Sequence, residues 1–368
     1  MADKNTDVAA APRRMSKRLQ SNLVTYAIVI GFFVLMTVLE ATGILTNSLA
    51  GQLVPICAYV CMAVSLNLVV GISGELSLGH AGFMSVGAFS GFVAFSLVNG
   101  VVNNALLAYV IALVIAAVIA GVAGFVIGIP VMRLRGDYLA IVTLAFGEII
   151  KNILNNLYVG LDGSGLHFSL ADAKALGMQG GTLLINGPQG ATGITKMSTF
   201  AIGIVLVLIT VTVVLNLVNS RTGRAIMSVR DNRIAAESVG INVTKYRMIA
   251  FVVAAALAGA AGCFYAMGYS SIVPKKFDFN TSILVLVFVV LGGMGNVRGS
   301  IISAALLTVL PEMLRAISDW RMLIYAVVLI LVMIISNNPT LRQLAGGLKS
   351  KFKRPVKSQD AATEKGGE

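Results

Sequence analysis

Charge is what this sequence has least of. Asp, Glu, Lys and Arg make up 12% of its 368 residues, where a soluble domain carries about 25%. That shortfall excludes an ordinary water-facing surface. A hydrophobic content of 57% and a mean hydropathy of +0.87 point instead to an integral membrane protein. Acid is scarcer than base: 16 Asp and Glu stand against 28 Lys and Arg, a formal net charge of +12. Such a balance suits nucleic acid when it forms a basic face on a soluble domain. Here the basic residues cluster at Arg13–Arg18, Arg133–Arg135, Arg221–Arg247 and Arg342–Lys357, each beside an apolar run. This is the pattern of cytosolic loops between membrane spans; it sets nucleic acid aside and makes the lipid bilayer the first partner.

Other shortages narrow the field. The three cysteines, Cys57, Cys61 and Cys263, all lie within apolar stretches. They give no disulfide framework, and the i,i+4 pair Cys57 and Cys61 makes a poor metal site without further ligands. Packing between helices is their expected role. His80 and His167 are the only histidines. The spacing offers neither a nucleophile with its base nor a carboxylate pair for a catalytic cleft, so no catalytic residue, metal or cofactor is assigned. The chain also has no G-x-x-x-x-G-K-[ST] stretch. Without a loop to cradle phosphates, it is not expected to hydrolyse ATP itself.

Long apolar runs, in contrast, are abundant. A hydrocarbon core of about 30 Å takes roughly 20 apolar helical residues. Windows between charges and Gly/Asn/Pro clusters give Leu23–Leu39, Leu49–Val70, Gly82–Val98, Ala105–Met132, Tyr138–Tyr158, Ser198–Val218, Met248–Ser270, a broken pair Ser282–Leu291 and Ser300–Leu314, and Met322–Ile335. The fold expected is all-α, a polytopic transmembrane helical bundle of about ten membrane segments. Leu23–Leu39 follows basic residues as a signal peptide does, but its length and the spans after it favour a retained first helix. With Arg13–Arg18 inside, parity places Arg133–Arg135, Arg221–Arg247 and Arg342–Lys357 inside too, so both termini are cytosolic. Lys275, Lys276, Arg315 and Arg321 then fall outside, and the short eighth segment is also compatible with a re-entrant turn. Residues 1–22 read as a basic cytosolic tail, 23–340 as the membrane domain and 341–368 as a second cytosolic tail. Within the membrane domain, 159–197 is an outer loop with no chemical signature and 220–247 a cytosolic loop. The small-residue faces Gly87-x-x-x-Gly91, Gly124-x-x-x-Gly128 and Ala254–Gly262 are expected where helices touch.

Charge inside a membrane costs about 2.5–3.5 kcal/mol at a helix centre on insertion scales, so each instance needs a reason. Glu148 lies at i,i+3 from Lys151, and Asn152, Asn155 and Asn156 continue its polar face. Two readings fit: a polar wall of a translocation path, or a neutralised pair bracing the bundle. "GISGELSLGHAGF" (Gly71–Phe83) interrupts an apolar region and carries Glu75, Ser77 and His80; "LGGMGNVRGS" (Leu291–Ser300) is a similar break in the other half. Paired Gly-rich breaks mark the substrate region of many transporters, where unwound backbone offers free N–H and C=O groups. The competing reading is two cytosolic turns.

The charged island "SRTGRAIMSVRDNRIAAESVGINVTKYRM" (Ser220–Met248) separates two membrane-length segments. In it Ile234, Ala235, Ser238 and Val239 form a short apolar stripe flanked by Arg230, Asp231, Arg233 and Glu237, and Gly240 is placed to end the helix. Thr244 is placed to cap the next span. One apolar face suits a groove in a partner; a helix lying on the membrane surface would want bulky anchors that the stripe lacks. Lys245 and Arg247 fall outside that face, so single alanine substitutions there are expected to be mild.

These residues carry a resemblance. "RDNRIAAESVGINVTKYRMIAFVVAAALAGAAGCFYA" is similar to the cytosolic coupling loop of ABC importer permeases, whose motif has the form EAA…G, although Ala235-Ala236-Glu237 departs from that order. Together with "RLRGDYLAIVTLAFGEIIKNILNN", "GISGELSLGHAGFMSVGAF" and "VVLGGMGNVRGSIISAALLTVLPEMLR", it resembles the branched-chain amino-acid permeases of ABC importers, in their LivM-type subunit, over residues 60 to 315. The resemblance implies an importer of leucine, isoleucine and valine in a bacterial inner or cell membrane. Its partners would be a second permease (a heterodimer), two ABC ATPase subunits and an extracytoplasmic substrate-binding protein. Coupling to the ATPases would fall on Arg230, Asp231, Ile234, Ala235, Ala236, Glu237, Val239 and Gly240. The translocation path would take in Glu75, Ser77, His80, Glu148 and Asn152. A permease for urea or short amides shares the same motifs. An ion-coupled secondary transporter would want more intramembrane carboxylates than Glu148 and Glu75, and a channel would not need a docking helix.

Overall fold

The computed structural model describes residues 17–43, 47–134, 136–163, 165–178 and 180–314, with a few isolated positions between 323 and 334. Two compact units are present, Met1–Glu312 and Met313–Glu368, and the first holds nearly all the described residues. The expected segment Met322–Ile335, the tail 341–368 and most of the tail 1–22 lie outside the described residues, apart from those few positions.

Apolar runs become helices because a segment in lipid must satisfy its own backbone groups. In chain order the helices are α1 (Lys17–Ala41), α2 (Asn47–Asn67, continued by a π turn over Leu68–Ile72), α3 (His80–Asn99), α4 (Ala105–Val131), α5 (Asp137–Asn155), α6 (Phe200–Asn219), α7 (Arg221–Asp231), α8 (Arg233–Ser238), α9 (Val243–Ala266), α10 (Phe279–Gly292) and α11 (Val297–Met313). Among the described residues, six helical stretches are long and apolar enough to cross a membrane: Asn22–Ala41, Ser48–Ile72, His80–Asn99, Ala105–Val131, Phe200–Asn219 and Val243–Ala266. Among the described residues six of the ten expected segments are thus full-length candidates, and Met322–Ile335, a few positions apart, lies outside those residues. Tyr138–Tyr158 becomes the amphipathic α5, which stops at Asn155 before a strand begins at Tyr158. The broken pair becomes α10, of 14 residues, and α11, of 17. At about 1.5 Å per residue these reach roughly 21 and 26 Å, short of a core of about 30 Å.

The centre of the bundle is α3, α4 and α9, drawn together where side chains are smallest. A Cβ on Gly87 would strike the backbone of Gly259, and one on Gly91 would lie 2.5 Å from Cys263 Sγ. Across the α4–α9 seam, Cβ atoms on Gly124 and Gly128 would come within 2.5 Å of Ala255 Cβ and Met248 Sδ. The expected small-residue faces are thus where the helices touch, and the three cysteines are buried packing residues. α1 runs along α6, through Phe32 and Phe33 on Phe200 and a hydrogen bond between Tyr26 Oη and Thr212 Oγ1 (3.0 Å). The outer face of α4 leaves Val110, Val114, Val118, Val122 and Phe125 half exposed, an apolar band fitted to lipid.

The expectation of an all-α chain is corrected within the outer loop 159–197, whose own fold the sequence leaves open. Residues 158–192 contain β1 (Tyr158–Asp162), β2 (Gly165–Ser169), β3 (Thr182–Asn186) and β4 (Ala191–Thr192); with β5 (Ser271–Ile272) after α9 they form one sheet in the order β2-β1-β3-β4-β5. All its pairings are antiparallel, and β4 meets β5 at Ala191 opposite Ile272. Strands of two to five residues punctuated by glycine carry little alternation, which is why composition alone reads as loop.

Candidate functional site

Everything of chemical interest gathers at one end of the bundle, where the charged island meets the first Gly-rich break. The island is two helices rather than one. Ser220 caps α7 by accepting from Gly223 N (3.1 Å), Asn232 ends it and caps α8 by accepting from Ala235 N (3.0 Å), and Asn242 caps α9 by accepting from Lys245 N (3.0 Å). Thr244, expected as that cap, lies inside the first turn of α9. α8 closes as a Schellman motif: Gly240 N donates to Glu237 O, Ile241 N donates to Ala236 O (both 3.0 Å), and Gly240 takes φ +83°.

That closure sets which residues face out. Ala236 is buried in a small cluster with Val229 and Val243, against which Ile241 packs. Ile234 and Val239 are 81% and 74% exposed, and Ala235, Glu237 and Ser238 are also exposed. The expected stripe Ile234, Ala235, Ser238 and Val239 is therefore free on the surface of this chain, while its neighbour Ala236 is turned inward as the anchor. Arg233 pairs with Glu237 along α8 (3.2 Å), and Arg230 pairs with Asp231 (2.8 Å).

Arg230 also reaches into the bundle. Its Nη1 donates to Gly71 O (3.1 Å), and its stem covers Gly74, whose Cβ would lie 2.5 Å from Arg230 Cγ. Gly71 sits in the π turn, and a Cβ there would strike both Gly295 N and Asn67 Oδ1. Asn67 Oδ1 accepts from Gly295 N (2.8 Å). The two Gly-rich breaks, more than two hundred residues apart, are thus in backbone contact at Gly71 and Gly295. Asn67 is fully buried, and its Nδ2 has no partner among the described residues.

The same break is held from a second side. Arg247, on the first turns of α9, forms an ion pair with Glu75; both side chains are nearly buried (7% and 11% exposed). Arg247 Nη1 also donates to Met132 O at the end of α4 (3.1 Å). The expectation that Arg247 is a dispensable boundary residue is overturned, since its charge is locked inside the fold. Glu75 is an internal clamp. Between these arginines lies a cavity of about 390 Å³, bordered by Ser73, Glu75, Asp137, Arg230, Arg233 and Arg247.

Farther along, His80 opens α3 and is 1% exposed, with Nε2 2.8 Å from Ser65 Oγ. Ser77 is equally buried and its hydroxyl has no partner among the described residues. Around them Leu78 N donates to Thr143 Oγ1 on α5 (3.1 Å) and Ala81 N to Ser282 Oγ on α10 (3.2 Å). Glu148 is ion-paired with Lys151 on α5 and borders a small crevice with Gly82, Asp278 and Ser282. Asn152, one turn on, is exposed. Glu75, Ser77 and His80 thus share one break, while Glu148 meets it across Gly82 and Asn152 stands apart. Asn67, Thr143 and Ser282 escape sequence reasoning, although a buried Asn just before a glycine break in an apolar run is the kind of polar residue that asks for a partner.

A family model described as "Branched-chain amino acid transport system / permease component" matches residues 48–335. The chain is 35% identical over 286 residues to the high-affinity branched-chain amino acid transport system permease protein LivM of Salmonella typhimurium, and equally to LivM of Escherichia coli. The match takes in 75% of this chain and 66% of each relative, just under two thirds of their length. It is 25% identical over 269 residues to the permease protein BraD of Pseudomonas aeruginosa, covering 68% of this chain and 80% of that one. No solved structure matches.

Proposed function

The chain belongs to the family of branched-chain amino acid transport system permease components, a multi-pass membrane protein, and from that premise we propose that it is the LivM-type permease subunit of an ATP-driven importer of leucine, isoleucine and valine. In this reading it pairs with a second permease, two ATPase subunits and an extracytoplasmic binding protein in a bacterial cell membrane, with both termini and the α7–α8 island cytosolic. Hydrolysis belongs to the ATPases. The observation that carries the reading is the island: an apolar stripe, exposed on a helix whose cap and inward anchor Ala236 fix it rigidly to the bundle. An exposed stripe of that kind suits a partner's groove, and burying it contributes at ~25 cal/mol per Å² of apolar area. Basic residues at the same end, Arg133, Arg221, Arg224 and Lys245 among them, support a cytosolic assignment by the positive-inside rule. The substrate path in this reading runs by the buried break at Ser77 and His80 and the crevice beside Glu148.

The test is reconstitution of this chain and its permease partner in vesicles, with and without the ATPases and binding protein. Leucine accumulates against a gradient only when all are present and ATP is supplied. Accumulation without the ATPases would sink the importer reading. Preference for urea or an amide over leucine would leave the mechanism and replace the cargo.

A further inference from the structure

Beside the apolar anchor of Val229, Ala236 and Val243, the island reaches the first Gly-rich break through one long side chain. Arg230 is the last but one residue of α7, and its guanidinium has two jobs: Nε and Nη2 hold Asp231 (3.0 and 2.8 Å), while Nη1 donates to Gly71 O (3.1 Å). Gly71 lies in a π turn, a local irregularity of the kind found at functional sites. It presses on Gly295 in the loop between α10 and α11, and Asn67, one turn before it, accepts from Gly295 N. Between the two breaks lie only the bare backbones of the two glycines and the Asn67 amide that bonds one of them, which leaves little to absorb a displacement. Gly74 and Gly295 hold φ of +76° and +81°, conformations that glycine adopts without strain. Asn67, fully buried, has no partner for its Nδ2 among the described residues, so a donor stands free at this junction to take a new acceptor when it shifts.

We infer that Arg230 is a positioning residue that transmits movement of the α7–α8 island to both Gly-rich breaks, by way of Gly71 and Asn67 to Gly295. The inference rests on the importer reading above and deepens it: α8 receives the ATPase, and Arg230 passes its displacement inward. Arg230 therefore acts on coupling rather than on docking. Asn67 belongs to the same line although it lies too deep to meet any partner.

The test uses the complete importer in proteoliposomes, comparing wild type with Arg230→Gln, Arg230→Lys and Asn67→Ala. Arg230→Gln is expected to keep its ATPase subunits and basal hydrolysis while leucine imported per ATP falls by about tenfold. Lysine keeps a charged donor for Gly71 O but loses the fork on Asp231, so Arg230→Lys is expected to recover part of the lost coupling in the same assay. Asn67→Ala uncouples in the same way. Because that variant removes a buried group and can fail to assemble, a second measurement stands beside it. Spin labels at Ile234→Cys and Met294→Cys are each paired with a label at Val114→Cys; the native cysteines are buried and 1% exposed or less. An ATP analogue should shift both distances in the wild type, but only the Ile234 pair when Arg230 is Gln. The relay is overturned if Arg230→Gln loses its ATPases, if it keeps full coupling, if lysine does no better than glutamine, or if the Met294 label still moves without Arg230. A wild type that imports nothing on ATP fails differently: the importer reading falls, and the relay falls with it.

Discussion

At the scale of single residues, the most consequential pair is Glu75 and Arg247, which hold the first break to α9 from within the fold. Removing one partner of a buried pair leaves an uncompensated charge, at a cost of about 3–5 kcal/mol. Arg247→Ala is therefore expected to lower the yield and thermal midpoint of the purified chain sharply, whereas Arg247→Met combined with Glu75→Leu restores most of both; fluorescence-detected melting of the solubilised protein reads the contrast. Equal melting of single and double variants would show that the pair carries no weight. Glu148 differs because its partner Lys151 is on the same helix and the carboxylate is 35% exposed. A pair of helical neighbours contributes about 0.2–0.5 kcal/mol. Glu148→Gln should accordingly leave yield intact and slow uptake if the crevice lies on the path. A collapse of yield instead would return Glu148 to the role of a brace. His80, with no charged partner among the described residues and its ring against Ser65 and Phe83, owes its burial to packing and one hydrogen bond.

At the scale of elements, the island makes the sharpest prediction because two adjacent alanines point opposite ways. Ala235 is exposed and Ala236 is 3% exposed. Ala235→Glu should insert and purify normally, yet abolish stimulation of the ATPases, since a charge in an apolar groove is left unpaired. Ala236→Glu should fail earlier, as poor yield, because the charge would fall inside the cluster of Val229, Val243 and Ile241. Pull-down of the ATPases and cargo-stimulated hydrolysis separate the two, and full stimulation in Ala235→Glu would mean that α8 is not the docking helix. Gly240→Ala, forced to φ +83°, should cost about 1–2 kcal/mol. The apolar stripe and the stop at Gly240 are both legible in the sequence from spacing alone. Which of two alanines turns inward is not, since it depends on Val229 and Val243 arriving from other helices. The start of α9 is misread for a related reason. Lys245 and Arg247 look like a boundary, and only Glu75, far away in sequence, makes it possible for the helix to carry Arg247 inside. The sheet is missed because β4 and β5 have two residues each and find each other across the whole of α6–α9.

At the scale of the molecule, the apolar runs dictated most of the architecture, and errors collect where a run is interrupted. Leu49–Val70 appears as α2 with its π turn; Ser282–Leu291 and Ser300–Leu314 appear as the short α10 and α11. What joins them, the meeting of Gly71 and Gly295, is a long-range contact that no local pattern encodes. The contact between α3 and α9 has its own consequence. Where Gly87 lies on the backbone of Gly259, and Gly124 admits Ala255, the main chains are interlocked with little side chain between them to slide. Such a core is low in compressibility. The three helices α3, α4 and α9 are thus expected to move as one body, a stator, and on the relay inferred above the stroke that opens a passage falls to the short pair α10 and α11 and to the α7–α8 lever.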